Sequence, residues 1–231
     1  MEKLQKEKGI GNMELDGKKV NFLGDSITYG HGVADPANRF VDRLRRECGL
    51  AEARNYGVNG TRFARQIDDA RYPNYTETFI DRAARMEKDA DLILVFGGTN
   101  DFGHGDAPFG TWEDRTDDTF CGACHVLFRQ LIEAYPDQRI VILTPLHRLG
   151  EDNVFGDSSK QTACRPLRDY AEQIRKTAEY YALPLLDLYA QSGLQPDVSV
   201  IRERYMPDGL HPNDAGHEKL AAVIKAFLER I

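Results

Sequence analysis

The sequence predicts an α/β fold in which a parallel sheet lies between two layers of helices. Two patterns carry that expectation. Short apolar runs alternate along the chain with stretches of helical periodicity, as in strands joined by right-handed helical crossovers. The most apolar run, Leu92-Ile93-Leu94-Val95-Phe96, contains branched residues and is followed by two glycines, which suits a central parallel strand buried on both faces. A chain of 231 residues with 41% hydrophobic content is the right size for one such domain. With five strands the simplest solution is a three-layer, flavodoxin-like arrangement in the order 2-1-3-4-5. Residues 19–231 are assigned to this domain and residues 1–18 to an N-terminal arm, frayed or packed at an edge.

The first strand is expected near 19–25, and a helix from about Asn38 to Cys48, with Phe40, Val41 and Leu44 on one side and Gly49 ending it. A second strand runs near Ala53 to Val58, into Asn59-Gly60-Thr61. Helical spacing of Phe79, Ile80, Ala83 and Met86 places a helix over roughly Thr76 to Lys88, ahead of the third strand. A Gly- and Asp-rich loop, 102–116, then separates that strand from an amphipathic helix carrying Phe120, Cys124, Leu127, Phe128 and Leu131. The fourth strand is Arg139 to Thr144, stopped by Pro145; a polar loop follows, then a helix from about Pro166 to Tyr181. Leu185 to Leu188 forms the last strand, and after an irregular connection Asp208-Gly209-Leu210-His211-Pro212 opens the last helix.

Composition removes several function classes. A net charge of −7 and a pI near 5.4 provide no footprint for nucleic acid. No run has the apolar length of a membrane span. The Lys/Glu-rich start lacks the apolar core of a secretory signal, so a cytoplasmic protein with reduced thiols is expected. Cys121-Gly122-Ala123-Cys124-His125 spells a haem-attachment string. Its helical setting favours buried thiols instead, and Cys48 and Cys164 do not add the second pair a zinc site wants. Neither a cofactor nor a metal is expected.

The chemistry centres on Gly24-Asp25-Ser26-Ile27-Thr28, where an apolar strand ends in a serine at the position in which open α/β sheets bind ligands. Asp25 and Ser26 are also good N-cap residues, and the alternative reading is that they only turn and cap the chain. A nucleophilic serine needs a base, and the base needs a third group to fix its tautomer. Asp208 and His211 suit those roles, three residues apart in a turn. Taken singly, Gly60 reads equally as a turn with positive φ, Asn100 as a strand-end residue, Asp208 as a helix cap and His211 as a surface histidine. What favours a site is that loops after strands 2, 1 and 3 are neighbours in this topology.

These segments resemble the GDSL family of esterases and acylhydrolases, also called SGNH hydrolases. Gly24 to Thr28 resembles the family's first block, Asn55-Tyr56-Gly57-Val58-Asn59-Gly60 its second, Gly97-Gly98-Thr99-Asn100-Asp101 its third and Asp208 to His211 its fifth. The resemblance implies a Ser26–His211–Asp208 triad and an oxyanion hole made by the Ser26 and Gly60 N–H groups and the Asn100 amide. It also implies a flavodoxin-like fold and acyl transfer from a small-molecule ester through a covalent acyl-enzyme. Asp25, Thr99, Asp101 and His147 are further candidates for the substrate pocket, Asp101 more as a tie between loops than as a reacting group.

His31, His104 and His147 are candidates for the pocket mouth, although His31 and His104 read more readily as solvent-facing loop residues. His125 and His217 read as structural, and the second Gly-Asp-Ser, at 156–158, as a loop that no strand delivers. The loops at 102–116 and 146–162 carry Phe109, Trp112, Arg115, Arg148 and Phe155, side chains suited to a sugar or other polar alcohol. With no long apolar lid, short acyl groups such as acetyl are expected. Two rivals stand beside this reading. One is a metal-dependent phosphoesterase using Asp25, Asn100, Asp101, His147 and His211, and the other is a binding module without catalysis.

Overall fold

Strand β3 (Leu92–Phe96) is the centre of the sheet, with β1 (Lys19–Gly24) and then β2 (Glu52–Gly57) on one side of it and β4 (Arg139–Leu143) and then β5 (Leu185–Leu186) on the other. The computed structural model describes residues 14–67 and 77–231. All four pairings are parallel, in the order β2-β1-β3-β4-β5, as expected. Residues 1–13 of the expected arm, and Thr76 of an expected helix start, lie outside the described residues.

Side-chain alternation along the strands builds two cores. Val20 and Phe22, Leu92, Leu94 and Phe96, and Val141 and Leu143 face one side of the sheet. There they meet α2 (Phe40–Cys48) and α9 (Asp214–Leu228). Leu23, Ile93, Val95, Ile140 and Ile142 face the other side, against α3 (Phe79–Ala83), α5 (Phe120–Ala134) and α6 (Leu167–Tyr180). Alternating residues of one strand thus enter opposite cores, which is why the central strand β3 is apolar throughout. The Cys121 and Cys124 thiols are buried on α5 and free, as structural cysteines should be.

Several elements differ from expectation. Helix α3 is short: Thr78 and Asp81 form a capping box at its start, and regular helix ends at Ala83 rather than near Lys88. The expected loop after β3 begins with a helix, α4 (Thr99–Gly103), and a one-turn helix, α1 (Ser26–Tyr29), follows β1 directly. The irregular connection after β5 contains α7 (Leu188–Gln191) and α8 (Ser199–Tyr205). Asp187 accepts from Ala190 N, so it caps α7 and is not a strand residue. The last helix starts at Asp214, capped by Asn213, which leaves Asp208 to His211 in the turn ahead of it. Among the described residues no helix is long and apolar enough to cross a membrane.

Candidate active site

The site begins where β1 stops. A side chain at Gly24 would overlap Thr28, so glycine is required for the chain to fold back this tightly. The Asp25 carboxylate accepts from Ile27 N at 3.0 Å and starts α1, which presents Ser26 as its first residue. Asp25 is fully buried, and loss of solvent pushes its pKa up to about 6, against the pull of the Ile27 N–H, His211 and Arg82. It therefore lies beneath the site as a cap and does not form a wall of the pocket.

Asp208 and His211 come from the turn before α9. Asp208 Oδ1 accepts from the backbone N–H groups of Leu210 (2.9 Å) and His211 (2.7 Å), and its Oδ2 lies 2.7 Å from His211 Nδ1. Burial opposes ionisation of this half-exposed carboxyl, but the His211 ring and the two N–H groups outweigh it and hold the pKa well below the usual range. An ionised carboxylate only accepts, so Nδ1 must carry the hydrogen. That tautomer leaves Nε2 as an acceptor, and it stands 3.0 Å from Ser26 Oγ. His31 packs on the other side of the ring, with centroids 4.3 Å apart.

Gly60 and Asn100 reach the same place from β2 and β3. Gly60 has φ +72°, so a positive-φ turn and a place in the site are both true of it. The Asn100 amide donates to Thr61 O at 3.1 Å, which orients the group and leaves its second hydrogen available. Asp101 ties the loop after β2 to α4, accepting from Phe63 N (3.0 Å) and Ala64 N (3.0 Å). Arg82 of α3 was not singled out in the sequence. Its guanidinium donates to Gly24 O at 2.8 Å, to Tyr56 O and to Thr61 Oγ1 at 2.7 Å. One side chain thus binds the ends of β1 and β2 and the turn that carries Gly60. Burial lowers its pKa to about 10, with Asp25 and Asp81 supporting the charge.

Ser26, Gly60, Asn100 and His211 open onto one cleft of about 260 Å³, whose remaining wall is His31, Asn59, His104, Arg148, Asp157 and Leu210. Of the four further pocket candidates, none lines it. Asp25 and Asp101 are occupied as described, Thr99 is buried in α4, and His147 is held at 2.8 Å by Glu151 and stacked on Tyr189. Conversely, His31 and His104 both line the cleft: His31 is exposed, as the solvent-facing reading has it, whereas His104 is half-buried. His104 Nε2 is 3.2 Å from Gly60 O and its Nδ1 is 3.6 Å from Asp157, a residue of the second Gly-Asp-Ser. That string is a loop, as expected, but it folds over the site. The only hint in the sequence was the length of the loop. Among the loop side chains suited to a polar alcohol, Arg148 lines the cleft. Phe109 lines an adjoining cavity of about 600 Å³ beyond His104, together with Lys160 and Arg165. Trp112 instead packs on His125 and Tyr180, and Arg115 donates to the Trp112 and Asp114 carbonyls.

The ligand set of the phosphoesterase rival is not assembled, because Asp25, Asp101 and His147 are engaged with other partners. Among the described residues the cluster able to hold a metal ion is His31, Asp208 and His211, with ligand atoms within 4.8 Å of one another.

Comparison with known proteins agrees with this fold. Residues 22–219 match the sequence profile of the GDSL-like lipase/acylhydrolase family. A multidomain esterase of Ruminococcus flavefaciens is 26% identical over 92% of this chain; the chain spans 28% of that relative's length. A crystal structure of a Lactobacillus plantarum protein superposes with a TM-score of 0.79 at 29% identity, covering 92% of this chain and 97% of that one. A Veillonella parvula member of the lipolytic G-D-S-L family shares the fold, with a TM-score of 0.61 at 17% identity, covering 92% of this chain and 99% of its own.

Proposed function

This chain belongs to the GDSL-like lipase/acylhydrolase family, a family of carboxylic ester hydrolases, and we propose that it hydrolyses small esters through a covalent acyl-enzyme on Ser26. The observation that carries the reading is the continuous hydrogen-bond path from Ser26 Oγ through His211 to Asp208, at 3.0 and 2.7 Å. As Ser26 Oγ attacks the ester carbonyl carbon, its proton passes to His211 Nε2. The imidazolium so formed is supported by Asp208, whose depressed pKa keeps it anionic. Negative charge on the carbonyl oxygen is met by the N–H groups of Ser26 and Gly60 and the free hydrogen of the Asn100 amide. Collapse breaks the bond to the alcohol oxygen, which takes the proton from Nε2 and leaves. A water molecule then gives a proton to the same nitrogen as it attacks the acyl-enzyme carbonyl. Collapse breaks the bond to Ser26 Oγ, which takes that proton back from Nε2, and the acid is released.

A cleft of about 260 Å³ with histidine, asparagine, aspartate and arginine in its wall suits a short acyl group, such as acetyl, on a polar alcohol, a sugar included. A panel of esters of rising acyl length, with 4-nitrophenol and acetylated sugars as alcohols, tests this. We expect turnover to be highest for acetyl, to fall with chain length and to be lost in Ser26→Ala. Equal turnover by Ser26→Ala would refute the mechanism, and a preference for long chains would refute the substrate class.

A further inference from the structure

Arg148 is the least satisfied charge in the cleft. Its residue is only 7% exposed, yet it lines the wall shared with Ser26 and His211. Among the described residues only Nη1 finds acceptors, Thr99 O at 3.3 Å and Thr99 Oγ1 at 3.4 Å, both long for a guanidinium. Nε is buried with no hydrogen-bond partner, and the face of Phe102, 5.5 Å from the guanidinium carbon, is a weak substitute.

Each nearby carboxylate is held by another group. Asp157 lies 3.6 Å from His104 Nδ1 and accepts from Ser159 N at 3.2 Å. Glu151 is bound to His147, and it takes only the backbone N–H of Arg148. Asp208 is engaged with His211 and Asp25 caps α1. Burial pulls the Arg148 pKa down while these four carboxylates support it from a distance, and a guanidinium stays cationic at neutral pH. A buried cation without a close counter-ion costs several kcal/mol unless something pairs with it. The adjoining cavity carries two more cations, Lys160 and Arg165.

We propose that the cleft selects esters bearing a carboxylate close to the reacting carbonyl, and that the Arg148 guanidinium binds that carboxylate. This rests on the ester-hydrolase reading of the same site and adds the charge of its substrate. The fork of N–H donors matches a carboxylate's two oxygens, whereas a neutral hydroxyl would leave the charge unpaired.

Two ester pairs read the preference at neutral pH. Mono-4-nitrophenyl succinate against 4-nitrophenyl succinamate puts the charge on the acyl side. The acetyl esters of 4-hydroxybenzoate and 4-hydroxybenzamide put it on the alcohol side. We expect the anionic member of at least one pair to have a kcat/KM about ten-fold higher than its amide, the scale of a hydrogen bond to a charged group. Arg148→Gln should bring that ratio to about one, while Arg148→Lys keeps part of it. Gly103→Ala offers a variant that leaves Arg148 in place. Its methyl would stand 2.7 Å from Arg148 Nη1 and push the head group aside, so the same ratio should fall.

Ratios near one in both pairs for the native enzyme would overturn the proposal, as would a ratio that survives Arg148→Gln. Failure to hydrolyse any of the four esters would count against the ester-hydrolase reading instead. In that case calorimetric titration of the native protein with benzoate and benzamide still decides: the proposal requires tighter binding of benzoate, and equal or absent binding of both contradicts it.

Discussion

At the scale of single residues, groups of the site have a second function, which is to hold the site together. Asn100 donates one amide hydrogen to Thr61 O, and in the proposed mechanism the other meets the oxyanion. Removing one such donor lowers kcat by about 10²–10³, so Asn100→Ala should lose that much turnover in steady-state assays while its circular dichroism spectrum is unchanged. A smaller loss would move Asn100 out of the oxyanion hole. Ser26, Gly60, Asn100, Asp208 and His211 were legible together because their strings follow strands 1, 2 and 3 or precede the last helix and resemble the blocks of one family. Arg148 was legible only as a loop side chain suited to a polar alcohol, and Asp157 not at all, because the path of their loop is set by contacts distant in sequence. Gly156 N donates to Asn153 O, and Asp157 N to Gly103 O across the site. His31 reaches the cleft because α1 ends in a glycine at φ +97°, which turns the following residue onto the His211 ring.

At the scale of elements, the strands were read within a residue or two because buried apolar runs bounded by glycine and proline leave little choice. The short helices were not. Helix α4 is one turn starting on Thr99, too brief for a periodic pattern, and α3 carries helical spacing past its actual end. What α3 contributes is Arg82, whose guanidinium joins the carboxyl ends of β1 and β2. Arg82→Met would keep most of the volume but leave the Gly24 and Tyr56 carbonyls and the Thr61 hydroxyl short of a donor. Each buried unpaired group costs about 1–3 kcal/mol, so chemical denaturation should show a loss of a few kcal/mol. Turnover at temperatures where the variant remains folded should fall as well, since the turn holding Gly60 loses its anchor. Loss of stability with unchanged turnover would make Arg82 purely structural.

At the scale of the whole molecule, two buried titrations act against each other. His217 of α9 accepts from Phe40 N, and burial lowers its pKa to about 4. Between about 4 and 6.5 the unfolded chain binds the extra proton, so this group's contribution is present above pH 6.5 and lost as pH falls. Asp25 is the reverse: with its pKa raised to about 6, its contribution is present below 3.8 and lost as pH rises through 6. Each is worth up to about 3 kcal/mol and the windows overlap. His217→Gln should therefore become less stable from pH 4 to 6, and Asp25→Asn more stable over the same range, when denaturant midpoints are compared. Slopes of the same sign would contradict this. The two-core sandwich that buries these groups followed from the pattern of strands and helices, whereas the convergence of five segments on one cleft is a property of the sheet order. That convergence is tested most directly by labelling the native protein with a fluorophosphonate and mapping the modified residue by mass spectrometry. Rapid modification of Ser26 that is lost in His211→Ala is the predicted result; an unlabelled Ser26, or equal labelling without the imidazole, would contradict it.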